Sequence, residues 1–181
     1  MKIIVCGCGK IGSAIIEKLS EEGHDVIVID KEQAVVTEIA NIHDVMGVVG
    51  NCADCETLED AGVAEAELFI AVTGSDEMNM LSCFLARRLG AKNTIARIRS
   101  PEYNDRSLAF VRRELELSMA INPELLAAHE LFNILKFPSA VKIEKFSGRG
   151  FEMIELRLKP DSVLDGMSLR SLREKYGTRV L

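Results

Sequence analysis

Six residues, Gly7-Cys8-Gly9-Lys10-Ile11-Gly12, stand between an apolar run and an amphipathic stretch, and they restrict the first part of this chain to one kind of architecture. Ile3 to Cys6 reads as a strand that ends in a tight turn at Gly7, while Gly9 leaves bare backbone that a diphosphate can approach. Gly12 lets the following helix pack closely on the strand. Ile11, Ala14, Ile15 and Leu19 recur at helical spacing, so the unpaired N–H groups of a first turn point toward that approach. The expected anion site is therefore made of backbone.

A second apolar run, Val26 to Ile29, ends in Asp30, eighteen residues beyond Gly12. A carboxylate there accepts hydrogen bonds from both hydroxyls of a ribose and repels a 2′-phosphate. This favours NAD(H) or another adenosine nucleotide over NADP(H), although Lys31 beside it places a cation that tolerates extra phosphate. The competing interpretation is a glycine turn in an α/β domain without a ligand. Strand before, helix after and acid at the right distance argue against it.

Further strand signals alternate with helical ones, the pattern of a parallel sheet covered on both faces. Strands are expected at Ile3 to Cys6, Val26 to Ile29, Val45 to Val49, Leu68 to Val72, Thr94 to Ile98 and, weakly, Met119 to Ile121. Helices are expected at Lys10 to Glu22, Lys31 to Ala40, Glu56 to Ala61, Asp76 to Leu89, Glu102 to Glu114 and Pro123 to Leu135. Right-handed crossovers give the order 3-2-1-4-5-6, with a ligand at the switch between strands 1 and 4. Gly7 to Gly12 then lies opposite Thr73 to Asp76. The fold class is α/β: a Rossmann-like doubly wound parallel sheet followed by a small, incomplete α+β appendage.

At 181 residues the chain accommodates one ordinary domain and a small addition. Its formal charge of −6 disfavours nonspecific nucleic-acid binding, which requires clustered Lys and Arg. No apolar run reaches membrane-spanning length and no signal-peptide pattern follows Met1-Lys2, so the expectation is a cytoplasmic protein that reaches a membrane only through a partner. The five cysteines are Cys6, Cys8, Cys52, Cys55 and Cys83, and they read as free thiols. Cys52 and Cys55 form a C-x-x-C, open to a redox role or half a zinc site. Cys6 and Cys8 are spaced differently and His24, His43 and His129 are scattered, so small buried or loop residues are the simpler reading and no metal site is assigned.

Two helices are apolar over more than the roughly 100° arc that a single core contact needs. In the first, Met78, Leu81, Leu85 and Leu89 make one face, with Met80 and Phe84 off it. In the second, Leu125, Ala128, Phe132 and Leu135 make one row and Ala127, Leu131 and Ile134 another. Burial of a second face against another subunit is expected of both, most clearly the second. From Phe137-Pro138-Ser139 the period changes to two: Val141 to Phe146, a turn at Ser147 to Gly150 and Met153 to Leu158 read as a hairpin. Ser168 to Tyr176 reads as a short helix capped by Ser168.

Read in order, MKIIVCGCGKIG, VIVIDKE, GNCADCETLEDAGVAEAELFIAVTGSDEMNML, IARIRSPEYN and INPELL resemble the TrkA family, the regulatory nucleotide-binding subunits of Trk-type potassium uptake systems. The wider class is the KTN, or RCK, domains. The resemblance spans residues 1 to about 137, and 138–181 looks like the start of the family's C-terminal ligand-binding domain, stopping short of its usual length. It implies a non-enzymatic regulator of potassium flux that binds NAD(H), with ATP or ADP as alternatives. Its implied partner is an integral membrane potassium transporter subunit, at whose inner face it forms homodimers extending to rings, without inserting in the membrane itself.

Residue by residue, the resemblance assigns the phosphates to Gly7, Gly9, Lys10, Ile11 and Gly12. It assigns the ribose to Asp30 and its neighbour Lys31, and the adenine region to Asn51 with Cys52. Thr73 and Ser75 line the far side, and Arg97 and Arg99 are candidates for phosphate charge. These two arginines alternate with Ile98 and are expected on one side of the strand, with one of them free to pair with Asp76 or Glu77. Lys10 stands where the family often has Arg or Gln, and a solvated lysine is its plain alternative. Asp76 is read as a helix cap and Asn79 as part of a subunit contact; no catalytic residue is assigned.

Two other functions remain open. An NAD-dependent oxidoreductase shares the glycine loop and Asp30 but needs a proton donor or acceptor and a substrate pocket. No Tyr-x-x-x-Lys is present, since Tyr103 is followed by Ser107, and His24 and His43 lie in connections away from the cleft. A redox sensor built on Cys52 and Cys55 is the other.

Overall fold

The structure, a computed structural model, describes residues 1–103, 105–136, 140–146, 151–159 and 162–177. The expected linker at 137–139, the hairpin turn at 147–150 and the end of the chain at 180–181 lie outside them. The chain divides into two compact units, Met1–Leu126 and Ala127–Leu181.

The first unit is organised by six parallel strands: β1 (Lys2–Cys6), β2 (Asp25–Asp30), β3 (Met46–Val49), β4 (Leu68–Ala71), β5 (Thr94–Arg97) and β6 (Met119–Ile121). Their order in the sheet is β3-β2-β1-β4-β5-β6, as expected. Helices α1 (Lys10–Glu21), α2 (Gln33–His43), α3 (Cys55–Asp60), α4 (Asp76–Arg88) and α5 (Asp105–Glu114) fall between successive strands. Helix α6 (Pro123–Lys136) follows β6 and runs into the second unit.

Alternation along the central strands sends side chains to two cores. Ile3, Val5, Val26, Val28 and Ile70 pack with Ile16 of α1 and with Val36 and Ile39 of α2. Ile4, Cys6, Ile27, Ile29 and Phe69 pack with Leu58 of α3 and with Met80, Cys83 and Ala86 of α4. Both faces are thus covered, which is why β1, β2 and β4 read as unbroken apolar runs. Ile16, Leu58 and Phe69 are fully buried, each contributing about 1.5–3 kcal/mol.

Element ends depart from the expectations where local hydrogen bonds intervene. Helix α2 starts at Gln33 instead of Lys31, because the Glu32 N–H donates to the Asp30 carboxylate at 3.1 Å and keeps Lys31 in the turn. Helix α5 starts at Asp105 instead of Glu102, after a turn in which the Tyr103 N–H donates to the Ser100 carbonyl at 3.1 Å. Helix α4 turns a different stripe to the core than its largest apolar residues suggest. Met80, Cys83 and Ala86 face inward, Leu81 is exposed, and Met78, Leu85 and Leu89 are half-buried. Met80, Cys83 and Ala86 share that core with the fully buried Phe69.

In the second unit, β7 (Ala140–Phe146) and β8 (Phe151–Leu156) form an antiparallel hairpin. Helix α7 (Leu169–Tyr176) is capped by Ser168, whose hydroxyl accepts the Ser171 N–H at 3.2 Å. Among the described residues no helix is long and apolar enough to cross a membrane.

Candidate functional site: a cleft at the topological switch

The sheet order reverses between β1 and β4, and there a cavity of about 910 Å³ opens at the carboxyl ends of the strands. Such a cavity falls in the range of roughly 300–1,000 Å³ usual for small-molecule sites. Along the sheet its wall passes from Asp30 at the end of β2 and Lys31 beyond it, through Gly7, Gly9, Lys10 and Ile11 after β1, to Thr73 and Ser75 after β4 and Arg97 at the end of β5. Asn51 and Cys52, after β3, close the near end. Of the residues expected here, Gly12 and Arg99 do not line the cavity.

The three glycines of the loop do different work. Gly7 has φ of +94°, and a Cβ there would stand 2.8 Å from the Thr73 nitrogen. A Cβ on Gly12 would stand 1.9 Å from the Gly7 carbonyl oxygen, so Gly12 serves helix–strand packing. Gly9 has φ of −70°, open to any residue, and a Cβ on it meets nothing within 4 Å. The protein's own packing therefore gives no reason for glycine at position 9, whereas a ligand lying on the backbone does.

Gly9 is also the N-cap of α1, which has no side-chain cap and no acidic residue in its first turn. Its free N–H groups and dipole stay uncompensated. The other two helices that begin at the cavity differ, since α4 carries Asp76 and Glu77 and α6 carries Glu124 in their first turns. The electrostatic preference for an anion is thus concentrated at α1.

Asp30 is half-buried and holds the loop in place, accepting the Cys8 N–H at 2.7 Å on Oδ2 and the Glu32 N–H at 3.1 Å on Oδ1. Asn51 accepts the Ala53 N–H at 3.0 Å. Cys52 is buried in the wall with its thiol 3.8 Å from the Ile29 carbonyl, while Cys55 sits exposed at the start of α3. Burial, reinforced by the Cys52 thiol, pushes the Cys6 thiol well up, and burial beside the Asp30 charge pushes Cys8 up to about 12. Among the described residues no group of three or more His, Cys, Asp or Glu can hold a metal ion. His24 and His43 lie at the opposite edge, between α1 and β2 and at the end of α2.

On the far side, two expectations need correction. Ser75, not Asp76, caps α4: its hydroxyl accepts the Met78 N–H at 3.2 Å and donates to Glu77 at 2.7 Å. That bond holds the Glu77 carboxyl below its usual range. Asp76 is buried, accepts the Arg99 and Ser100 N–H groups at 2.8 and 2.7 Å, and lies 3.5 Å from the Arg99 guanidinium. Asn79 is no surface contact. Fully buried, it accepts the Thr73 N–H and hydroxyl at 2.8 and 2.7 Å and donates to the Arg97 carbonyl at 2.9 Å.

The two arginines also part ways, because β5 ends at Arg97 and Arg99 lies beyond the strand. Arg99 turns to Asp76 and donates to the Gly74 carbonyl at 2.5 Å. Arg97 lines the cavity, paired with Glu124 at the start of α6. Sequence reasoning missed Glu124, Gly50, Val72, Gly74 and Met78 in the wall. Glu124 carried one usable signal: it follows Asn122-Pro123 after β6, on the carboxyl edge of the sheet.

The sequence matches the TrkA-N domain family over residues 3–123. A Trk system potassium uptake protein TrkA homolog from Archaeoglobus fulgidus is 38% identical over 172 residues, which cover 95% of this chain. The chain spans 39%, about two fifths, of that relative's length. The TrkA-N domain of the inner membrane protein ybaL from Escherichia coli superposes with a TM-score of 0.65 at 23% identity, covering 74% of this chain and 96% of that one. The GsuK channel, solved bound to NAD, superposes with a TM-score of 0.56 at 22% identity over 66% of this chain and 21% of the channel, and was also solved bound to ADP. These two likenesses establish the shared fold.

Proposed function

The chain belongs to the TrkA-N domain family, and from that membership we propose that it is a nucleotide-binding regulatory unit of potassium transport, holding NAD(H) or an adenine nucleotide such as ADP or ATP in the cleft. Gly9 is the observation that carries this reading. A glycine that neither backbone conformation nor packing requires, at the one helix start in the cleft without acidic residues, suits a diphosphate laid on the backbone. Asp30 at one side of it suits the ribose hydroxyls, and Asn51 and Cys52 suit the adenine.

The reading includes no catalysis. Residues 1–137 are assigned to the nucleotide-binding domain and 138–181 to a C-terminal part of RCK type, a boundary eleven residues beyond that between the two compact units. The regulator works in the cytoplasm at the inner face of a membrane, through an integral potassium transporter subunit. It assembles at least as a homodimer, for which the exposed apolar side chains of α6 supply a surface: Leu131, Phe132, Ile134 and Leu135 are all more than half exposed. Exchange of nucleotide changes the contacts at the starts of α1 and α4, and a differential affinity of two arrangements for two nucleotides is what a transporter partner reads.

Calorimetric titration with NAD, NADH and ADP tests the reading. Asp30→Ala is expected to weaken binding by about 1–3 kcal/mol, the cost of unpairing buried hydroxyls, and about 5- to 150-fold in Kd. Unchanged affinity removes the ribose role, and steady NADH oxidation dependent on a defined substrate overturns the regulatory assignment.

A further inference from the structure

Cys6, Cys52 and Cys83 share one core beneath the cleft. Cys6 ends β1 between Ile29 of β2 and Ala71 of β4, its partners in the sheet. Cys52 enters the same core from the turn after β3, with its thiol 3.8 Å from the carbonyl of that same Ile29. The two side chains therefore meet on one face of the sheet, across β2. A hydrogen bond joins the Cys6 and Cys52 thiols, whereas Cys83 and Cys8 act on Cys52 through charge alone.

The two thiols differ in access. Cys52 forms part of the cavity wall and keeps a small exposure, while Cys6 stands behind it with none. A small solute in the cavity thus reaches the Cys52 sulfur and not the Cys6 sulfur. Burial pushes the Cys6 thiol well up, so it keeps its proton at neutral pH and is the poorer first nucleophile. Cys55, the other half of the C-x-x-C, is turned away from both. It is exposed at the first residue of α3, past a turn in which the Asp54 N–H donates to the Asn51 carbonyl at 2.9 Å. The motif that is adjacent in sequence is divided between core and solvent, and the pair that touches is distant in sequence.

We propose that Cys6 and Cys52 are an oxidative modification site, a thiol pair that a hydroperoxide entering the cavity converts to a disulfide. The Cys52 sulfur attacks the terminal peroxide oxygen, the O–O bond breaks, and Cys52 becomes a sulfenic acid as water or an alcohol leaves. The Cys6 sulfur then attacks the Cys52 sulfur. An S–S bond forms, the S–O bond breaks, and the departing hydroxide takes the Cys6 proton away as water. The two thiols lose two electrons in all, and the peroxide gains them. The product ties the end of β1, one residue before Gly7, to the turn after β3. Neither position depends on what the cleft binds, so the proposal stands apart from the nucleotide reading.

The experiment treats the folded, reduced full chain with hydrogen peroxide, blocks the remaining thiols by alkylation and maps the peptides by mass spectrometry with fragmentation. It is run on the wild type and on Cys55→Ser, which removes the one exposed cysteine of the five and leaves four. In Cys55→Ser the free thiols are expected to fall from four to two, to return with dithiothreitol, and to be missing at Cys6 and Cys52. The wild type is expected to form the same bond. Cys6→Ala is expected to lose it and to leave on Cys52 a sulfenic acid that a 1,3-dione traps. Four thiols unchanged in Cys55→Ser, or a bond between any other two cysteines, overturns the proposal, and Cys55→Ser alone decides it if Cys6→Ala fails to fold. None of these results bears on nucleotide affinity, so the two readings fail separately.

Discussion

At the scale of single residues, the far wall of the cleft depends on Asn79. Its amide joins the Thr73 backbone and hydroxyl after β4 to the Arg97 carbonyl at the end of β5, from a position with no solvent exposure. Replacing it by a leucine of similar size takes away the partner of the Thr73 N–H and of the Arg97 carbonyl, each loss costing about 1–3 kcal/mol, while the Thr73 hydroxyl keeps the Ser75 carbonyl at 3.3 Å. Asn79→Leu is therefore expected to lower the unfolding free energy by about 2 kcal/mol or more, read as the shift of the urea midpoint at unchanged slope. A loss below about 1 kcal/mol contradicts that role, since surface substitutions rarely exceed it. Asp76 does a similar job for residues 99 and 100, through the two backbone N–H groups that its Oδ2 accepts. Neither role was legible from the sequence, where Asp76 looks like a cap and Asn79 like a surface residue. Their partners at and beyond the end of β5 lie 18 to 24 positions away, brought close only by the sheet.

At the scale of elements, what was legible is what burial and local geometry impose. The runs in β1, β2 and β4 are apolar because helices cover both faces; Gly12 is fixed by the Gly7 carbonyl within the same turn, and Gly7 by its φ of +94° and the Thr73 backbone after β4. Helix α4 was legible as a helix but not in its orientation: the core takes Met80, Cys83 and Ala86 and leaves Leu81 exposed. Helix α6 buries only Asn133 and leaves Leu125, Leu126, Leu131, Phe132, Ile134 and Leu135 exposed, where a core-facing row was expected beside a subunit-facing one. Six such side chains on one helix are an unfavourable surface for a single chain in water. If a second copy covers them, Phe132→Glu, already 60% exposed and so compatible with folding, converts a dimer to a monomer. Light scattering that finds the wild type monomeric at micromolar concentration, or the variant still dimeric, contradicts the assembly.

At the scale of the whole molecule, the cleft is polarised along the sheet: an uncompensated helix start at α1, acidic helix starts at α4 and α6, and one arginine held by Glu124 between them. In the nucleotide reading proposed above that gradient favours a diphosphate at α1, and it follows from the strand order, which sets the starts of three helices around one opening. Everything proposed for regulation depends on a nucleotide lying on the bare backbone at Gly9. The most direct measurement is calorimetric titration of NADH and ADP into Gly9→Val beside the wild type. Valine there has an allowed φ and open space, and as a poorer helix cap it costs only about 1 kcal/mol of stability. A variant that melts close to the wild type and binds neither nucleotide is the predicted result. A variant that binds both with wild-type affinity contradicts the account.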